Sequence, residues 1–298
     1  MWYGRTLPAV VSLVCLIASA PSAQAQNVRA RGDSVLVWAG RLGRGGNLTI
    51  KNIVGDISVT EASGDRVEVS VEKRSRGRGD PSDISFDVDE SSSGVRICTV
   101  YRGDSACEEG NFNNMRVSVR YVVAMPSGVR LRASTGNGDL SVERAGAEVE
   151  LNTGNGAVHV GQTDGRVTAT TGNGEVEIES ARGPVQVSSG NGRILVSSST
   201  GPVSAHTGNG DIDVRMKTLA SESDMDFQTG SGAIRVTLPP DFNGRVDAST
   251  GNGDLRTDFE IKLSGRLDPQ HLRGVIGSGG AMIRLQTGNG RLEIRKGS

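Results

Sequence analysis

Thr135-Gly136-Asn137-Gly138, Thr153-Gly154-Asn155-Gly156, Thr171-Gly172-Asn173-Gly174, Ser189-Gly190-Asn191-Gly192 and Thr207-Gly208-Asn209-Gly210 recur along the chain, each set 18 residues after the last. A fixed period of this kind marks a repeat architecture. Between the corners the apolar residues alternate, as they do in strands buried on one face. Val149 and Leu151, Val167 and Ala169, Val185 and Val187, and Val203 and Ala205 lead into corners. Val158 and Val160, Val176 and Ile178, Ile194 and Val196, and Ile212 and Val214 lead out of them. Each unit therefore supplies two short strands, four inward side chains and two turns. One unit cannot close a core, but stacked units can. The pattern predicts an all-β, single-stranded β-helix-like solenoid with about 18 residues per regular coil.

The corner has its own logic. Gly-Asn-Gly supplies three successive residues that tolerate positive φ, which a sharp turn between strands requires. With coils stacked about 4.8 Å apart, the asparagines are expected to lie over one another and bond as an amide ladder. The Thr or Ser before each corner shares the parity of the inward aliphatics, so its hydroxyl is expected to satisfy turn backbone. A second, looser turn carries Gly165, Gly183 and Gly201, again 18 residues apart.

Ahead of the repeats, Arg5, the apolar run Val10 to Ala20 and Ala23-Gln24-Ala25 read as a cleavable signal peptide over residues 1–25. The apolar run is too short to span a bilayer stably. The sequence thus predicts a periplasmic or extracellular protein with no transmembrane anchor after cleavage. Its 42 glycines and 3% aromatic content suit short strands and tight turns rather than a large aromatic core. A formal net charge of −1 gives no electrostatic argument for nucleic acid as a partner. Cys98 and Cys107 survive cleavage and, in an oxidising compartment, read as a disulfide closing a hairpin or loop. A metal or redox site would need CxxC spacing or histidine partners, which this segment lacks.

Residues 26–127 read as an irregular β-rich region, with candidate strands at 35–38, 48–50, 56–59, 67–71, 84–88, 95–101 and 117–123. Within it, residues 53–59 look like a degenerate coil with its corner at Gly55, so stacking is expected to begin near residue 47. Residues 128–298 read as the regular solenoid. After Gly210 the corners loosen to Gly230-Ser231-Gly232, Gly251-Asn252-Gly253 and Gly288-Asn289-Gly290, with an insertion near 259–280 that drapes a face or caps an end.

The chain also resembles a known family, the bacterial putative-adhesin β-strand-repeat proteins, a domain family of unknown function found in cell envelopes. The likeness is carried by the signal peptide, Ile53-Val54-Gly55-Asp56-Ile57-Ser58-Val59, Val123-Ala124-Met125-Pro126-Ser127-Gly128-Val129 and the successive corners. Leu285-Gln286-Thr287-Gly288-Asn289-Gly290-Arg291-Leu292-Glu293-Ile294 adds to it, and the whole likeness spans residues 45–295. The resemblance implies a solenoid-like β fold and an envelope location, and it brings no catalytic residues.

Catalytic, cofactor and metal constellations were sought one by one. A calcium-binding β-roll needs aspartate two places after the last glycine; that place holds Leu140, Val158, Val176, Ile194 and Ile212. The position directly after each corner holds Asp139, Ala157, Glu175, Arg193 and Asp211. Carboxylates two coils apart would suit an inverting glycosidase, but the intervening residues make this an outward row of mixed charge that limits like-charge repulsion. His159, His206 and His271 stand in different coils without a nucleophile motif. Lys73, Arg74, Arg76 and Arg78 read as a solvated hairpin tip, with an anionic polymer contact as the functional alternative.

The sequence therefore predicts a non-enzymatic exported envelope protein, a rigid scaffold for binding or adhesion. Its partner would be a protein or glycan of the envelope or cell surface, and no cofactor is expected. Two alternatives are an accessory or sensor protein of envelope stress and a polysaccharide-acting β-helix lyase or hydrolase.

Overall fold

The computed structural model describes residues 34–75, 79–102, 117–219, 223–264 and 268–297. The predicted signal peptide, Arg76, Arg78 and Cys107 lie outside them. The described chain is all-β apart from one turn of 3₁₀ helix at Pro81–Asp83. Its strands form a twelve-stranded sheet, called sheet I, and a thirteen-stranded sheet, called sheet II. Each regular coil gives one strand to each sheet, and the inward side chains of both meet in one continuous core. This is the stacked solenoid that the alternation predicts.

In the middle of the molecule, chain order and spatial order coincide. Strand Val149–Asn155 pairs in parallel with Arg130–Asn137 on one side and Val167–Asn173 on the other. The register sets Val149 over Val167 and Asn155 over Asn173, so equivalent residues stack coil upon coil. Sheet I repeats the arrangement, with Val158 over Val176 and Val160 over Ile178. All sixteen inward aliphatics of these coils named above are at most 2% exposed. A slip of one residue would turn every one of them to solvent, which pins the register.

At both ends the two orders part. The first coil is made of Asn47–Lys51 and Ile57–Glu61. Its strands pair with Arg130–Asn137 and Leu140–Ala145 on one side. On the other side they pair with Gly94–Tyr101 and Val117–Met125. A later piece of chain therefore sits outside the first coil. Beyond it, antiparallel strands finish the end: Ile84–Ser91 in sheet II, and Arg66–Ser75 followed by Ser34–Arg41 in sheet I. Gly55 makes the corner of the first coil at φ 120°, directly beneath Gly138.

A buried polar network locks this first coil. Asn52 donates to the carbonyls of Gly55 (2.9 Å) and Val119 (2.8 Å). Its Oδ1 accepts from the Ile53 amide and from the Thr99 hydroxyl, which also meets the Tyr121 hydroxyl at 2.8 Å. Burial raises the Tyr121 phenol pKa above its ordinary range. With its members hydrogen-bonded, the network stabilises one arrangement instead of leaving polar atoms stranded.

The opposite end repeats the exchange of order. The last coil, Met282–Asn289 and Leu292–Lys296, does not lie at the edge. It is inserted between the coil of Met225–Ser231 and Ile234–Leu238 and the coil of Gly244–Asn252 and Leu255–Thr257. The stretch after residue 259 then caps sheet II, with His271–Ile276 antiparallel to Gly244–Asn252, and Ile261–Leu263 antiparallel to His271–Ile276. Charge explains this order. Along the outer face of sheet I, Asp213, Arg235, Glu293 and Arg256 lie side by side, alternating in sign. Stacking in chain order would instead set Arg256 against Arg235, a like-charged cross-strand pair that destabilises.

Candidate functional site

The corner residues lie in two tight columns, for a reason that differs from the sequence expectation. Among described non-glycine residues only Arg102 has positive φ, so no corner asparagine adopts the left-handed conformation. The second glycine does: Gly138, Gly156, Gly192 and Gly210 have φ between 151° and 155°. The first glycine (Gly136, Gly154, Gly172, Gly190, Gly208) is needed because coils approach so closely there. A Cβ on Gly154 would lie 2.5 Å from the Gly136 carbonyl oxygen, and one on Gly208 equally close to that of Gly190. At Gly174 and the other second glycines, a Cβ would collide with the carbonyl of the coil before.

The side chains around the corner tie successive coils together. Asn155, Asn173, Asn191 and Asn209 each donate Nδ2 to the Oδ1 of the preceding asparagine, at 2.8–2.9 Å, with Asn137 at the foot. Ser231 then interrupts the ladder before Asn252 resumes it by donating to Asn289 at 2.9 Å. Inside the corner, the hydroxyls of Thr153, Thr171, Ser189 and Thr207 donate to the second-glycine carbonyl of the preceding coil, at 2.9–3.0 Å. Each buried hydroxyl therefore satisfies a turn carbonyl that the sheet ladder leaves free.

On the outer face of sheet II these columns bound a trough. Its floor is the first corner glycine of each coil, which carries no side chain and is exposed. One wall is the asparagine ladder. The other is the outward column Ser134, Asn152, Thr170, Ser188, His206, Gln228 and Gln286, which the parallel register places side by side. The trough widens towards its C-terminal end into a depression of about 460 Å³ lined by Ser188, His206, Gln228, Gln286 and Gly208, Gly230 and Gly288. His206 meets Asp226 at 3.2 Å, and Gln228 donates to the same carboxylate at 2.7 Å. A run of amides, hydroxyls and exposed peptide suits hydrogen bonding to a neutral, hydroxyl-bearing chain.

The residues after the corners are not gathered into a catalytic pair. Asp139 accepts the Ala157 amide proton and Asp211 that of Ala233, both at 2.8 Å, while Asp56 accepts that of Asp139 at 3.0 Å. These carboxylates clip one coil to the next. Glu175 and Arg193 are exposed. The histidines stay apart: His159 lies 3.4 Å from Glu177 and 3.5 Å from Glu179, and His271 lies 2.9 Å from Asp247. Burial raises the Asp247 pKa, but hydrogen bonds from His271 and Arg273 outweigh it and keep it below the usual carboxylate range. Among the described residues no group of three His, Cys, Asp or Glu is placed to hold a metal ion.

The basic hairpin is occupied with its own structure. Lys73 donates to the carbonyls of Pro81 and Ile84 and lies over the Phe86 ring, and burial lowers its pKa. Arg74 pairs with Glu72 at 3.0 Å. Cys98 is fully buried on Gly94–Tyr101, while its expected partner Cys107 lies outside the described residues. The sequence reading did not find the trough wall. His206, Gln228 and Gln286 stand at spacings of 22 and 58 residues, and only the exchanged coil order makes them neighbours.

Comparison with known proteins fits this geometry. A family model described as Toastrack DUF4097 matches residues 47–295, from the first stacked coil to the last. Among curated proteins none matches significantly. A crystal structure described as a putative adhesin from Bacteroides fragilis is similar over 88% of this chain and 96% of that one, with 13% identity and a TM-score of 0.47. A putative adhesin from Parabacteroides distasonis is similar over 89% and 98%, with 13% identity and a TM-score of 0.37. A protein described as a putative lipid binding protein from the same organism covers 92% and 100%, with 11% identity and a TM-score of 0.38.

Proposed function

The chain belongs to the Toastrack DUF4097 family, and from that premise we propose that it is a non-enzymatic, exported envelope protein whose solenoid is a rigid scaffold for binding or adhesion. The observation that carries this reading is the glycine-floored trough of sheet II. It offers an ordered row of amide and hydroxyl groups, repeated every coil, on a backbone that two ladders hold fixed. Such preorganisation favours binding because few side chains must be ordered when a ligand arrives. A neutral glycan laid along the stack would meet equivalent donors and acceptors about every 4.8 Å.

Export rests on the leader read in the sequence, with Cys98 and Cys107 joined in the oxidising compartment it reaches. Among the described residues no helix is long and apolar enough to cross a membrane. The lyase or hydrolase alternative would need the Glu175 and Asp211 carboxylates free to move protons. Asp211 is instead engaged by a backbone amide of the next coil, which supports the binding reading.

The test is a panel of neutral and charged glycans presented to the mature protein, with binding and product formation both recorded. The proposal expects retention of at least one neutral glycan and no turnover. Retention should fall about tenfold when Gln228 and Gln286 are both changed to Ala. Turnover of any glycan, or unchanged retention in that double variant, would overturn it.

A further inference from the structure

On the outer face of sheet I, two carboxylates are nearly shut off from solvent although their positions point outward. The side chains of Asp213 and Glu293 are 5% and 8% exposed. Arginines cover them. Arg235 stands between the two and donates Nε to Glu293 at 2.9 Å and Nη1 to Asp213 at 3.2 Å. Arg295 reaches Glu293 at 2.7 Å and Arg291 reaches it at 3.5 Å. Arg193 and Arg215 approach Asp213 at 3.8 and 3.7 Å. Five guanidinium groups thus surround two carboxylates, leaving an excess of three positive charges (five minus two).

The five arginines play different parts. Arg235 and Arg295 spend donors on Glu293 and are held by it. Arg193 and Arg215 sit within ion-pair range of Asp213, yet among the described residues neither donates a side-chain hydrogen bond, and both are about half exposed. Their planar forks are therefore available to a ligand. The set runs along the stack over four successive coils, a stripe about 15 Å long at the usual strand spacing. On the N-terminal side of the stripe the same face turns acidic at Glu177 and Glu179, which would confine an anion to the arginine half.

We propose that this stripe is a binding surface for an acidic polysaccharide, whose carboxylate or sulfate groups engage the open guanidinium forks of Arg193 and Arg215. Guanidinium matches such oxyanions bidentately, which a lysine ammonium does not. Asp213 and Glu293 hold the remaining arginines in position, so their side chains need not be ordered at binding. A rigid, straight stripe of charge suits a linear polymer with charge on each unit. A lipid surface is disfavoured because the large exposed apolar side chains of the described residues, Val35, Val122 and Leu263, belong to the outer strands at the two ends, away from the stripe. The surface is separate from the trough of sheet II, so the two sites stand or fall independently.

The experiment is isothermal titration of the mature protein with oligogalacturonate, with neutral dextran and phosphatidylglycerol vesicles as parallel arms. Oligogalacturonate should bind, and its affinity should fall at least about tenfold between low salt and about 0.5 M salt, because the attraction is between exposed charges. Arg193→Gln with Arg215→Gln should weaken it a further tenfold or so while leaving the melting midpoint unchanged, since neither side chain makes an internal hydrogen bond. Arg130→Gln with Arg166→Gln, on sheet II, removes the same charge and should keep the affinity. The proposal is overturned if oligogalacturonate does not bind at low salt. Equal loss in the two double variants, or vesicle binding without oligogalacturonate binding, would overturn it as well.

Discussion

The middle of this solenoid and its two ends use the same coil but obey different rules. In the middle, coils follow the chain, each strand has its sequence neighbours on both sides, and equivalent residues stack at 18-residue spacing. At each end one coil is enclosed by a piece of chain from elsewhere: the first coil by Gly94–Tyr101 and Val117–Met125, the last by Gly244–Asn252 and Leu255–Thr257. Repetition therefore determines the middle, whereas edge protection and charge pairing determine the ends. An open strand edge is a template for unwanted pairing, and in both places short or antiparallel strands finish the stack.

The largest expected effect comes from charging the core in each region. Val176→Asp places a carboxylate between coils packed on both sides and is expected to cost about 4 kcal/mol or more. Leu255→Asp, in the half-buried edge coil, is expected to cost about 1–2 kcal/mol, and Glu177→Ala to stay within about 0.5 kcal/mol of wild type. Denaturant melts of the three variants measure this. Equal losses at Val176 and Leu255 would mean that the edge coil packs like the middle.

Next come the corners. Gly156→Ala drives a Cβ into the Gly138 carbonyl at φ 154° and is expected to cost about 3 kcal/mol. Gly64 lies in the N-terminal hairpin turn with open space where its Cβ would be, and Gly64→Ala should be within about 0.5 kcal/mol of neutral. Thermal melts that rank the two variants together would refute the stacked-corner geometry.

Charge order at the C-terminal end gives a smaller effect. Glu293→Arg would set three arginines in one column and strip Arg235 of its main partner, at an expected cost of about 2–3 kcal/mol. Glu177→Arg in the middle, beside His159 and Leu195, should cost less than about 1 kcal/mol. The hydrogen bond from Arg235 holds the Glu293 carboxyl below its ordinary pKa. Its contribution is thus fully present above pH 4.5 and is lost as pH falls through the lower folded value. Glu293→Gln should flatten that acid limb of the stability–pH profile; an unchanged limb would exclude Glu293 as a contributor.

The smallest change sharpens the comparison by repairing it. Ser231 breaks the asparagine ladder where the middle gives way to the end. Ser231→Asn would join Asn209 to Asn289 and is expected to raise stability by about 0.5–1 kcal/mol. A fall in the melting midpoint would show that the ladder cannot pass that coil.

The contrast also explains what could be read from the residues alone. Parity and period placed Val149, Val176 and Ile212 inward, because burial acts on each strand locally and repeats with it. The loosened corners at Gly230, Gly251 and Gly288 revealed their coils for the same reason. Coil order left no such mark. Nothing local to Leu292–Lys296 says that it stacks on Ile234–Leu238; only the outward charges Arg235, Glu293 and Arg256 favour it, and these must be compared across 58 and 37 residues of chain. The trough wall and the arginine stripe depend on that order. A net charge of −1 further concealed the stripe, since the arginines of one half are balanced by acids elsewhere. The asparagines were expected to turn left-handed, but close approach of backbones, rather than φ alone, fixes the first glycine of each corner.

The most direct test of the exchanged coil order is native-state hydrogen exchange over residues 244–297. The enclosed strand Leu292–Lys296 is paired on both sides, whereas Leu255–Thr257 pairs on one side only. The amides of Leu292–Lys296 should then exchange as slowly as those of the regular coil strand Ile194–Ser199, with Leu255–Thr257 exchanging much faster. Fast exchange across Leu292–Lys296 with slow exchange at Leu255–Thr257 would mean that the coils stack in chain order, and would contradict the account.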